Sequence, residues 1–329
     1  MSVRPARRHL RRATVALLAA CALMAAPAAA AAAQPAAGPA GTDPVDDAKK
    51  FATPNLPGVN DWSCKPSAEH PRPLILVHGT FDAGRVWAKT APDYKKAGYC
   101  VFSLDYGKSS GLLSLIVGGI DRVSQSAMEL ADFVDGVLEA TGTEKVDIVG
   151  HSQGGMMPRY YMKFAGGADK VHTLVGISPS SHGTGRSDFM DALLADAPDL
   201  RALLEGFSEL VPIGKFVDIP CPACTDQVSN SPFQKRLNKG EDTLPGVNYT
   251  TIVTNKDSVI TPWKSQYLEG PNVKNYLLQD VCKDNFAQHN NSVSDPVATR
   301  LALNALDPEH AVTPTCPTLA SSILGLLGV

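Results

Sequence analysis

Short apolar runs alternating with amphipathic segments constrain this chain more than any other feature. Runs at 74–77, 99–104, 145–149 and 171–177 begin the series, and two more at 248–254 and 273–278 continue it. Between them, 88–97, 124–140 and 153–164 read as helices. The second of these carries Met128, Leu130, Phe133, Val134, Val137 and Leu138 at helical spacing, and a final helix is expected at 295–305. A strand too apolar to alternate needs cover on both faces, and helices between successive strands supply it. The pattern therefore predicts an α/β architecture: a mostly parallel central sheet with helices on both faces. Two stretches break the rhythm, 109–120 (SSGLLSLIVGGI) and a long insertion at about 180–245. Insertions of this kind are expected to cap the carboxyl ends of the strands, where ligands bind in such sheets.

The ends of the chain bear on its compartment. Arg4, Arg7, Arg8, Arg11 and Arg12 precede an Ala/Leu-rich run that continues to Ala33, the pattern of a secretory signal peptide over 1–33. Removing these five of the 30 basic residues and none of the 33 acidic ones takes the formal charge from −3 to −8. A surface that acidic excludes nucleic acid as a partner. Residues 34–61, rich in Pro, Ala and Gly, read as a leader or linker, and 62–329 as a single domain carrying the cap insertion. No later run reaches the ~20 apolar residues of a membrane span. Leu18-Ala19-Ala20-Cys21 also fits a lipobox, which would anchor the chain by lipid on Cys21, and Arg11-Arg12 leaves a twin-Arg route open.

Of seven cysteines, Cys21 falls in the signal segment and six remain. An even number in an exported chain predicts three disulfides. Nearness pairs Cys221 with Cys224. Cys64–Cys100 would tie the segment before one strand to the start of the next, and Cys282–Cys316 would clamp the C-terminal tail. Cys221-Pro222-Ala223-Cys224 also has redox-motif spacing, but it lies among Asp218, Pro220 and Pro222 rather than opening a helix after a strand, which favours a structural bridge.

Gly150-His151-Ser152-Gln153-Gly154 fits G-x-S-x-G between the strand at 145–149 and the helix at 153–164, the strand–turn–helix setting of a nucleophile elbow. Such a turn holds the serine oxygen above the sheet beside the positive end of a helix. In an α/β-hydrolase an acid and then a histidine follow in chain order. His289 is the histidine placed after the last strand, and Asp257 follows the strand at 248–254. Asp280 and Asp284 are rival acids near His289 in sequence. A carboxylate at Asp257 would orient and charge-stabilise the imidazole while His289 deprotonates Ser152. The oxyanion hole needs donors; the Gln153 amide supplies one, and Thr80 in His78-Gly79-Thr80-Phe81 offers its amide and hydroxyl.

These residues resemble a family. Leu76-Val77-His78-Gly79-Thr80, Ser152-Gln153-Gly154-Gly155 and Asp257-Ser258-Val259-Ile260-Thr261-Pro262 are similar to secreted actinobacterial triacylglycerol lipases and to the fungal lipase B type, over roughly residues 61–316. The resemblance implies an α/β-hydrolase fold, an oxyanion hole at Thr80 and Gln153, a Ser152–Asp257–His289 triad, and bridges at Cys64–Cys100 and Cys282–Cys316. This chain has His78-Gly79 where the fungal type has Pro-Gly, and His151 precedes its nucleophile. A secreted, monomeric serine hydrolase of carboxylic esters is expected, acting on lipid or another ester, with transient contact at a lipid–water interface and needing no cofactor or metal. The apolar stretches 109–120 and 203–216 are expected to line an acyl pocket or meet that interface. Alternatives with the same triad are a polyester depolymerase or cutinase-like esterase and an acyltransferase. A non-catalytic binding protein on this fold has no use for the full set of residues.

Overall fold

A computed structural model describes residues 43–108, 117–186, 188–199, 201–202, 206 and 221–318. The chain divides into Met1–Ala40 and a second unit, Gly41–Val329, and the description concerns the second. The expectations for the signal segment, for 109–116 and for nearly all of 203–216 lie outside the described residues.

Six strands, β1 (Leu74–Val77), β2 (Val101–Leu104), β3 (Val146–His151), β4 (Val171–Ile177), β5 (Asn248–Val253) and β6 (Val273–Leu277), form one sheet in the order β2-β1-β3-β4-β5-β6. Every pairing is parallel. The order reverses at β1. The chain runs outward from β1 to β2, then crosses back to place β3 on the other side of β1. That reversal opens a crevice at the carboxyl ends of β1 and β3, the site where open α/β sheets bind ligands.

The apolar runs are explained by cover on both faces. Side chains alternate along a strand. Ile75 and Val77 enter one core with helices α3 (Val123–Thr141) and α4 (Gln153–Phe164). Leu74 and Leu76 enter the other, with α2 (Ala91–Lys96) and the C-terminal helix α8 (Pro296–Leu306). All four β1 residues are therefore buried. β6, at the edge, is only partly covered.

Two sequence expectations change. Residues 43–61, read as leader or linker, are packed on the domain. Helix α1 (Pro44–Lys49), capped by Asp43, buries Ala48 in the α3-side core, and Leu56 is buried in the other. Asn60 bonds the backbone of Thr53 and Ser103. Composition hid this, because six residues with one buried alanine give almost no periodic signal. The helix expected at 88–97 is two pieces, a 3-10 turn at Gly84–Lys89 and then α2. Pro92 lacks the N–H of a helix interior but is tolerated in a first turn, so the helix restarts there.

Within 180–245 the described helices include α5 (Phe189–Ala195), α6 (Pro222–Asp226) and α7 (Pro232–Leu237). Phe189 and Leu193 of α5 meet Phe81, Val117, Ile120, Val259 and Ile260 in a third, smaller apolar cluster. Disulfides join Cys64–Cys100, Cys221–Cys224 and Cys282–Cys316. Among the described residues, no helix is long and apolar enough to cross a membrane.

Candidate active site

Ser152 is built by the turn between β3 and α4. Its backbone lies at φ 55°, ψ −122°, a conformation costly for a non-glycine residue. The Ser152 N–H bonds the Ile177 carbonyl at 3.0 Å, and the Ser152 carbonyl accepts from the Gly155 N–H at 2.9 Å. The flanking glycines are obligatory. A Cβ at Gly150 would sit 1.9 Å from the Gly154 carbonyl oxygen, and one at Gly154 would sit 2.3 Å from those of Val77 and His78.

The structure brings the three residues singled out in the sequence together. His289 Nε2 lies 3.0 Å from Ser152 Oγ, and His289 Nδ1 lies 2.8 Å from Asp257 Oδ2. Asp257 follows β5. Its Oδ1 accepts the N–H groups of Val259 at 2.9 Å and Ile260 at 2.8 Å, and its Oδ2 accepts Gln266 Nε2 at 3.0 Å. Those bonds fix the carboxylate, and the carboxylate fixes the imidazole. Asp280 and Asp284, the rival acids, are exposed and the carboxylate on His289 Nδ1 is that of Asp257. The loop carrying His289 is anchored through its own carbonyl, which accepts Ser292 Oγ at 2.7 Å and His151 Nε2 at 2.9 Å.

Burial works against a charged His289, but the Asp257 charge, its hydrogen bond and the more distant Asp196 outweigh it, so the pKa is raised above the usual imidazole value. The neighbouring histidines go the other way. Burial pushes His151 down to about 3 and His78 down to about 4. A proton offered to this cluster therefore goes to His289.

Thr80 follows β1 and Gln153 opens α4, so both sit at the crevice. As the first residue of α4, Gln153 has a backbone N–H with no carbonyl one turn earlier in its own helix. The Gln153 side chain donates to Thr80 Oγ1 at 2.8 Å and to the Gly119 carbonyl at 2.7 Å. A cavity of about 820 Å³ opens beside Thr80 and is lined also by Phe81, Arg85, Leu193, Asp196 and Asn290. Ser152 and His289 are 1% and 0% exposed.

Sequence reasoning missed four supporting groups: Gln266 on the carboxylate, His151 on the His289 carbonyl, Asp196 accepting the Asn290 N–H at 2.8 Å, and Gln227, whose side chain donates to Thr80 Oγ1 at 2.8 Å. His151 is the variable position of the elbow motif and ends β3, while the other three belong to no motif. Gln266, Asp196 and Gln227 are each recruited across the fold from a loop or the end of a cap helix. Among the described residues no group of three or more His, Cys, Asp or Glu is disposed to hold a metal ion.

Residues 71–302 match the family described as lipase (class 2). The structure is similar to Aspergillus fumigatus lipase B, with a TM-score of 0.59 at 19% identity, over 82% of this chain and 58% of that one. It is also similar to Bacillus licheniformis lipase BlEst2 in mature form, with a TM-score of 0.51 at 16% identity, over 73% of this chain and 94% of that one. The chain thus spans 58% of the length of the Aspergillus lipase. At these identities the likeness is one of fold, and with the six parallel strands it marks the α/β-hydrolase fold.

Proposed function

The chain belongs to the class 2 lipase family, and we propose that it is a carboxylic ester hydrolase that cleaves water-insoluble lipid esters, triacylglycerols among them, through an acyl-enzyme on Ser152. The observation that carries this reading is the unbroken relay from Ser152 Oγ through His289 to Asp257, at 3.0 and 2.8 Å. In the proposed reaction Ser152 Oγ attacks the ester carbonyl carbon while His289 Nε2 takes its proton. Asp257 stabilises the imidazolium without accepting the proton. The oxyanion is held by the backbone N–H groups of Gln153 and Thr80 and by the Thr80 hydroxyl. His289 then protonates the leaving alcohol, and water repeats the steps to release the acid and restore Ser152.

The apolar cluster of Phe81, Val117, Ile120, Phe189 and Leu193 beside the crevice supports an apolar acyl group, since burying each CH₂ contributes ~0.8 kcal/mol. Three disulfides support export to an oxidising compartment, with 1–33 as the signal.

The test pairs a serine-directed fluorophosphonate with an ester series. Wild type is expected to be labelled at Ser152, and Ser152→Ala to fold, escape labelling and lose at least ~10³ in kcat. Across acyl lengths from C2 to C8, kcat/KM should rise. Labelling elsewhere, or wild-type turnover by Ser152→Ala, would remove the assignment. A steady fall with length would leave a small-ester esterase.

A further inference from the structure

The hydroxyl of Thr80 is a donor in the proposed oxyanion hole only if its hydrogen is not spent elsewhere. A hydroxyl oxygen accepts two hydrogen bonds and donates one. At Thr80 Oγ1 both acceptor positions are filled: Gln153 Nε2 donates to it at 2.8 Å, and Gln227 Nε2 donates to it at 2.8 Å. Both amides are oriented by other groups, so neither can turn to accept from Thr80 instead. Gln153 Nε2 also faces the Gly119 carbonyl at 2.7 Å, a contact that requires N–H on that side. Gln227 Nε2 also faces the Ala223 carbonyl at 3.2 Å, and its Oε1 accepts Ser180 Oγ at 2.9 Å. With its lone pairs taken, the Thr80 hydroxyl retains one role, that of donor.

We propose that Gln227 is a positioning residue of the oxyanion hole: by donating to Thr80 Oγ1 it commits the Thr80 O–H to the negative oxygen formed in the transition state. The inference rests on the acyl-enzyme reading above and extends it to a residue outside the triad and the elbow. Gln227 is fully buried and is supplied by the cap. It follows α6 directly, its N–H bonds the Ala223 carbonyl at 3.0 Å, and its own carbonyl accepts the Thr184 N–H at 2.9 Å. The Cys221–Cys224 bridge closes the first turn of α6, and the Ala223 N–H is tied to the Ile120 carbonyl at 3.1 Å. Asp226 accepts Arg122 Nη1 at 3.0 Å and the Val123 N–H at 3.1 Å, at the start of α3. The short cap helix is thus clamped at both ends, and the clamped element delivers one amide to one hydroxyl.

The arrangement serves the transition state more than bound substrate, because the oxyanion accepts a stronger bond than a carbonyl oxygen. Loss of Gln227 should therefore lower kcat and leave KM nearly unchanged. The substitutions are Gln227→Ala, Gln227→Met, Gln227→Glu, Thr80→Val and the double Thr80→Val/Gln227→Ala, each with kcat normalised to sites titrated by fluorophosphonate. Thr80→Val is expected to lose about 10²-fold in kcat. Gln227→Ala and Gln227→Met should each lose about tenfold, with KM within about twofold, by partial loss of that same donor. The double variant should be no slower than Thr80→Val alone, since the two act through one hydroxyl.

Gln227→Glu separates positioning from packing. An ionised carboxylate keeps the shape and the Ser180 bond but can only accept, so it draws the Thr80 hydrogen away; protonated, it can donate as the amide does. Its kcat relative to wild type should accordingly be lowest at alkaline pH and climb as pH falls. Additive losses in the double variant, a Gln227→Met enzyme at wild-type rate, or a flat pH ratio for Gln227→Glu would each overturn the proposal. Failure of wild type itself to titrate at Ser152 would instead overturn the acyl-enzyme reading on which it stands.

Discussion

Three histidines stand at the carboxyl ends of β1 and β3 and around the elbow, and their surroundings push them in opposite directions. His78 and His151 are held neutral by burial, while His289 has its pKa raised because Asp257, with help from Asp196, overcomes the same burial. Only neutral His289 can take the Ser152 proton. Activity should therefore fall as pH drops through the raised His289 value, with a limb above the ordinary imidazole pKa of about 6.5. Replacing Asp196 by Asn keeps an oxygen for the Asn290 N–H but removes the charge. Asp196→Asn should shift the acid limb of kcat/KM to lower pH while leaving the alkaline plateau close to wild type. A limb that did not move would show that Asp196 only anchors the loop. The three residues of the proposed triad could be singled out in the sequence because the elbow, the position after β5 and the loop beyond β6 are tied to strand order. Asp196, Gln227 and Gln266 could not, because a lone polar residue in a loop or cap carries no period and finds its partner only when the chain closes on itself.

At the scale of elements, the strands were legible nearly to the residue. β1 and β4 begin and end where the runs do, and β1, buried on both faces, has no polar position to blur its ends. What was hidden is the stretch ahead of β1. Its Pro, Ala and Gly content over 34–61 reads as linker, yet 43–61 is held on the domain by α1 and Asn60, and the expected Cys64–Cys100 bridge follows directly after it. That bridge closes a 36-residue separation and joins the segment to the residue immediately before β2. Chain-entropy arguments give such a loop about 4 kcal/mol of stabilisation. The double variant Cys64→Ser/Cys100→Ser should lower the unfolding free energy by about that amount in denaturant titrations. The loss should be largely thermodynamic, because the Ser152–His289–Asp257 relay lies at the other end of the strands. Folded variant should keep near-wild-type kcat, and a collapse of kcat at full foldedness would contradict this placement.

Over the whole molecule, the same burial that keeps His78 out of the chemistry makes the fold sensitive to acid. His78 Nδ1 faces the Gly79 carbonyl at 2.7 Å, its Nε2 accepts the Tyr106 N–H at 3.3 Å, and its ring stacks on Tyr106 at 4.3 Å. Burial, against the opposing Gly79 bond, brings its pKa down to about 4. In the unfolded chain the value returns to about 6.5, so below that pH the unfolded state binds a proton the native state refuses. Stability from this residue is present above about pH 6.5 and is lost as pH falls toward 4, about 3 kcal/mol across the window. Asp82 has the opposite sign. Burial lifts its carboxyl to about 6, so between about 3.9 and that value the native state keeps a proton the unfolded chain releases. Its contribution is full in acid and lost as pH rises through about 6, offsetting much of the His78 term in the intact protein. Single variants expose each side. The stability deficit of His78→Asn relative to wild type should shrink by about 3 kcal/mol from pH 7 to pH 4. Over the same range the stability of Asp82→Asn relative to wild type should decline, because wild type regains the favoured neutral carboxyl in acid. Urea titrations of the three proteins at each pH measure both differences, and parallel curves would show that neither buried group changes its protonation on unfolding.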